Sequence, residues 1–130
     1  MNIKSKPLKA LSMLFALSSC SVMYTMQDIS TAALLTNGMS KEAVSEIMGL
    51  PARSEFNRNL EEWHYCKTAQ GVFSSTDEFV ALFFNEGTLF ATRNYAVSIA
   101  DTRGATGDCT RFIKQGNYRE PDVVAEFRNR

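Results

Sequence analysis

The chain has 130 residues, with 14 basic and 14 acidic side chains, 45% apolar residues and three cysteines. That length encloses one core and excludes a second, and a charge balance of zero gives no excess of Lys or Arg for a nucleic-acid platform. Nine Phe, four Tyr and one Trp at only 22% charged residues exclude a chain that is disordered throughout.

Residues 1–19 have the layout of an export signal. Lys4, Lys6 and Lys9 precede an apolar run from Ala10 to Leu17. Eight helical residues rise about 12 Å, well short of a hydrocarbon slab of roughly 30 Å, so the run is too short to span a membrane. Leu17-Ser18-Ser19-Cys20 follows and resembles a bacterial lipobox, in which the cysteine becomes the lipid-bearing N-terminus. The other reading is ordinary cleavage nearby, with Cys20 as a core or paired cysteine. Ser21, where an Asp would signal retention, resembles the sorting pattern for the outer membrane. Without the three signal lysines the chain is mildly acidic. Residues 20–27 then form a lipidated tether, 28–115 the domain, and 116–130 a C-terminal tail.

Setting Cys20 aside leaves Cys66 and Cys109, an even remainder that in an exported chain predicts one disulfide. A competing reading starts from His64, which would share a strand face with Cys66 as a Cys/His nucleophile or a metal pair. His64 is the only histidine, and no further thiolate or well-placed carboxylate completes a tetrahedral set. No metal, cofactor or catalytic set is expected.

Asp28-Ile29-Ser30 can cap a short helix over Thr31–Thr36 that stops at Asn37-Gly38. Ser40 caps a second helix over Lys41–Met48, with Glu42 in its first turn and Ala43, Val44, Ile47 and Met48 on one face. Gly49 and Pro51 end it. The period then changes to two. Glu61–Ala69 places Trp63 and Tyr65 on one face and His64 and Cys66 on the other. After a polar loop, Glu78–Phe84 is apolar almost throughout, and Asn85-Glu86-Gly87 reads as a three-residue hairpin loop with Gly87 at positive φ. Thr88–Ser98 returns as a strand.

Asp101–Asp108 is predicted as a loop. In the tail, a helix from Pro121 with Val123, Val124 and Phe127 inward competes with a fourth strand over Asp122–Phe127, and the alternation favours the strand. The expected fold is α+β: two short N-terminal helices packed on a three-stranded, or with the tail four-stranded, antiparallel meander sheet. The middle strand is apolar on both faces, so its second face is covered either by the chain's own loop and tail or by a partner.

Gly38-Met39-Ser40-Lys41-Glu42-Ala43-Val44, Gly49-Leu50-Pro51, Trp63 with Tyr65, and the Asn85-Glu86-Gly87 turn together resemble the SmpA/OmlA (BamE-like) family of small outer-membrane lipoproteins. The resemblance covers residues 34–98. It implies a BamE-like fold, related to the β-lactamase-inhibitor fold, in which these residues are mostly scaffold.

Three functional classes follow. The first is a non-catalytic interaction module, lipid-anchored in the outer membrane and facing the periplasm, whose partners are envelope or outer-membrane assembly proteins. Its partner surface would use the turn Asn37-Gly38-Met39 and exposed faces of Phe56, Phe73 or Tyr95, with Met39 equally readable as a core plug. The second is a periplasmic enzyme inhibitor presenting aromatic side chains from the sheet. The third, an enzyme, would draw on Glu61, Glu62, Asp77 and Glu78. Adjacent strand carboxylates point to opposite faces, which favours solvated strand ends, and no phosphate loop or nucleophile elbow is present.

Overall fold

Asp28 begins the first element. Its carboxylate accepts from the Ser30 N–H at 3.2 Å and opens a 3-10 helix over Ile29–Leu34 in the computed structural model. The structure describes residues 27–69, 76–98, 100 and 108–122. The expected helix over Thr31–Thr36 is thus corrected: it starts two residues earlier and is wound more tightly. So short a stretch lacks the length to hold an α-helix, and 3-10 winding is used in such pieces.

The second helix, α1 (Lys41–Met48), runs over the predicted residues. Ser40 Oγ accepts from the Ala43 N–H, and Gly49 closes the end with its N–H on the Ser45 carbonyl. Gly38, Gly49 and Gly87 all have positive φ.

Four strands follow: β1 (Arg53–Asn57), β2 (Leu60–Lys67), β3 (Thr76–Asn85) and β4 (Thr88–Ser98). They form one antiparallel sheet in the order β1-β2-β3-β4. The sheet is therefore four-stranded, but the extra strand lies at the N-terminal edge. Of the tail strand proposed over Asp122–Phe127, Asp122 is outside any strand and residues 123–127 lie outside the described residues. β1 escaped the sequence reading because an edge strand that is mostly exposed carries no apolar alternation.

The β3–β4 connection is also corrected. Asn85 pairs with Thr88, so the loop has two residues, Glu86 and Gly87. Both have positive φ (49° and 78°), the mirror-image turn whose twist matches that of the flanking strands. Further along, the register shifts: Phe84 pairs with Leu89 while Phe83 pairs with Ala91. The extra residue, Phe90, joins Phe83 and Ala91 in one core cluster, while Leu89 belongs to the other.

Phe79 to Phe84 are buried without interruption, and the two faces of β3 form two cores. On the helix side, Val44, Trp63, Tyr65, Val80, Leu82, Phe84 and Leu89 pack together with Ile29, Leu35, Met39 and Met48 at the margin. Met39 is therefore a plug of this core, the second of its two readings. On the other side, Phe79, Ala81, Phe83, Phe90, Tyr95 and Val97 meet Cys109, Ile113, Phe112 and Tyr118. The chain's own segment 108–118 covers the second sheet face. A short 3-10 helix, Cys109–Phe112, starts this cover with Asp108 as its cap.

Candidate functional site

Alternation along β2 decides which groups meet. Trp63 and Tyr65 face the helices, and Glu62, His64 and Cys66 face the covering segment. On the helix side, Glu61 receives hydrogen bonds from Trp63 Nε1 at 2.7 Å and Lys41 Nζ at 2.8 Å. Tyr65 donates its hydroxyl to the Gly49 carbonyl at 2.9 Å, fixing the end of α1 to the sheet. Gly38 and Met39 exchange backbone hydrogen bonds with Leu89, at 2.7 and 2.8 Å. The Asn37-Gly38-Met39 turn thereby extends the sheet beside β4.

On the opposite face lies a cluster of ionisable groups. His64 is fully buried. Its Nδ1 lies 3.0 Å from the Tyr95 hydroxyl and its Nε2 lies 2.9 Å from Glu62 Oε1. The second contact is close but falls outside hydrogen-bond direction, so it is mainly electrostatic. The backbone N–H of Lys114 donates to the Tyr95 oxygen at 3.2 Å, so that hydroxyl is held between the imidazole and the covering segment. Glu62 also accepts from the Tyr118 hydroxyl and from Lys114 Nζ, and Lys114 Nζ reaches Glu55 at 3.1 Å. Arg53 Nη2 closes the chain 2.7 Å from Glu55.

The electrostatics follow from these contacts. Burial opposes ionisation of Glu62, yet the adjacent His64 ring and the hydrogen bonds from Tyr118 and Lys114 together outweigh it and bring the carboxyl down to about 2. Burial likewise opposes the charge on Lys114, and its bonds to Glu62 and Glu55 raise it nonetheless. Burial pushes the Tyr95 phenol up to about 12, and Tyr118 is raised by burial and by the adjacent Glu62.

A carboxylate, an imidazole and a hydroxyl in line have the order of a nucleophile-activating triad. Tyr95 is 5% exposed here, and its hydroxyl is bonded on both sides and held further from ionisation than a free phenol. The line is a fastening. It ties residues 114–118 to β2 and β4.

The covalent fastening lies beside it. Cys66 and Cys109 are bonded, with S–S 2.04 Å and Cα atoms 6.1 Å apart, and both are fully buried. The disulfide read from cysteine arithmetic is present, and its thiols are withdrawn from any Cys/His pairing. Among the described residues, no group of three or more His, Cys, Asp or Glu is placed to hold a metal ion.

The sequence-derived surface residues separate. Phe56 is exposed, at 73%, and Asn37 is exposed. Tyr95 is a correction: its ring stacks on Phe79, with centroids 4.6 Å apart, beneath the covering segment. Phe73 and Cys20 lie outside the described residues. The strand carboxylates are corrected too. Glu61 and Glu62 are held by partners, and Asp77 is buried with its carboxylate accepting from the Ala69 N–H, so of the four only Glu78 is exposed.

The sequence reading missed Glu62, Lys114 and Tyr118 as one group. The spacing of Glu62 and His64 was the available signal, since residues two apart share a strand face. Lys114 and Tyr118 meet them across more than fifty residues, which no local pattern records.

A hollow of about 790 Å³ opens near the start of the first 3-10 helix, between Asp28, Ile29, Lys67, Glu78, Val80 and Asn94. Among the described residues no helix is long and apolar enough to cross a membrane. No protein-family model matches the chain, and no curated protein matches it.

Proposed function

We propose that the protein is a non-catalytic lipoprotein of the outer membrane, of the SmpA/OmlA (BamE-like) type, acting as a protein-interaction module in envelope or outer-membrane protein assembly. The observation that carries this reading is where the polar groups have gone. Glu55, Glu61, Glu62, His64 and Lys114 are paired with groups of the same chain, while Leu34, Leu50 and Phe56 stand exposed. A surface with large apolar side chains over a cross-linked core suits docking more than chemistry. The buried disulfide suits an oxidising compartment such as the periplasm. The lipobox-like Leu17-Ser18-Ser19-Cys20 supplies the anchor.

The test is affinity purification of the tagged, lipidated protein from envelopes. The reading expects reproducible recovery of outer-membrane assembly proteins, reduced by Phe56→Ser. Failure to recover any envelope protein overturns it. Phe56 also favours a second reading, an inhibitor-like module, because it presents an aromatic ring from the sheet edge. Periplasmic hydrolases assayed with excess protein decide that alternative, and uniform lack of inhibition dismisses it.

A further inference from the structure

Gln27 is held at three points. Its backbone N–H donates to the Cys66 carbonyl at 3.4 Å, its Oε1 accepts from the Cys66 N–H at 2.9 Å, and its Nε2 donates to the Leu50 carbonyl at 3.0 Å. These bonds take up the edge of β2 beyond His64, where its pairing with β1 ends. Cys66 is in turn bonded to Cys109. The chain therefore enters the domain at a fixed place on its most strongly cross-linked strand.

Leu50, which shares this clamp, is the most exposed large apolar side chain among the described residues, at 81%. Gly49 before it has φ 74°, and a Cβ there would meet nothing within 4 Å. The backbone of this turn is fastened through the Gly49 and Leu50 carbonyls, and the Leu50 side chain projects outward beside Gln27.

Resting on the lipid anchor proposed above, we infer that the Leu50 turn is a second membrane contact, its side chain entering the apolar boundary of the bilayer that holds Cys20. The length of chain argues for lipid as the occupant. Cys20 precedes Gln27 by seven residues, at most about 24 Å of extended chain, so the clamp cannot leave the neighbourhood of the bilayer. Leucine gains by leaving water for that boundary. Charge plays little part. Lys67 and Asp28, the exposed ions nearest the clamp in sequence, are of opposite sign and offset each other. The contact is apolar and therefore insensitive to salt. Phe56, by contrast, lies near the far end of β1, about 10 Å beyond Arg53.

The test uses the mature, lipidated protein in vesicles of phosphatidylethanolamine and phosphatidylglycerol. Leu50→Cys and Phe56→Cys are each labelled with a nitrobenzoxadiazole dye. The native Cys66 and Cys109 are buried and bonded, so the introduced thiol takes the label. Dye at position 50 is expected to brighten severalfold on vesicle binding, to be quenched by spin-labelled phospholipid, and to stay so at high salt. Dye at position 56 is expected to remain as in water. If the protein co-floats with vesicles but the two positions behave alike, the inference is overturned while the anchor stands. If the mature protein does not co-float, the anchor fails and the inference with it.

Discussion

Lys114 Nζ lies 3.0 Å from Oε2 of Glu62, across 52 residues of sequence. This pair, with Tyr118 on the other carboxylate oxygen, joins the covering segment to the centre of the sheet. Because the cover closes one of the two cores, the pair stabilises far more than the two side chains that make it.

Acid stability should report this carboxylate. Its folded value, about 2, lies below the 4.5 of an ordinary glutamate, so the stability that it contributes is present above 4.5 and is lost as the pH falls towards 2. A depression of that size corresponds to about 3 kcal/mol at neutral pH. Urea titrations across this window should show wild-type stability falling more steeply than that of Glu62→Gln. Equal slopes would remove Glu62 from the account.

Replacing Cys66 and Cys109 by Ser opens a loop of 43 residues. The chain-entropy model gives a loss of about 4 kcal/mol, which thermal or denaturant unfolding measures directly. The cover should loosen first, so amides of residues 108–118 should lose protection against hydrogen exchange before those of β3.

Two glycines with similar φ should respond differently. At Gly87 a Cβ meets only the flexible end of Lys41, so Gly87→Ala should cost about 1 kcal/mol for its backbone conformation. At Gly116 the Cβ would collide with the Ala96 carbonyl oxygen, where Asn117 bonds to β4. Gly116→Ala should cost about 3 kcal/mol, because rigid backbone has to move. Equal losses in denaturant titrations would contradict the placement of residue 116 against β4.

The two aromatic residues assigned to a surface from sequence also separate by experiment. Phe56→Ser should leave the unfolding midpoint almost unchanged, within about 0.5 kcal/mol, because the ring is exposed. Tyr95→Ala should cost about 4 kcal/mol, since it empties a buried aromatic site and leaves the Lys114 N–H and His64 without their partner.

These contrasts mark what sequence can and cannot convey. Helix α1, the face shared by Trp63 and Tyr65, and the apolar β3 were legible because each rests on a local period or cap. Strand β1 was not, because Arg53-Ser54-Glu55-Phe56-Asn57 lies at a wet edge and is stabilised by pairing with β2. Tyr95 was misread because its face of β4 is covered by residues 108–118, a segment whose place no local pattern records. The fastening around Glu62 was invisible for the same reason: its parts come from four distant stretches of chain. Cys66 with Cys109 was readable from counting, because reading residues 1–19 as an export signal and setting Cys20 aside leaves an even pair.

Mass spectrometry of the intact mature protein, taken from the membrane fraction without reduction, tests the central claim most directly. A chain beginning at Cys20, heavier by a diacylglyceryl group and an amide-linked acyl chain and lighter by two hydrogens for Cys66–Cys109, is the expected result. A chain without acyl groups, recovered from the aqueous fraction, would contradict the claim.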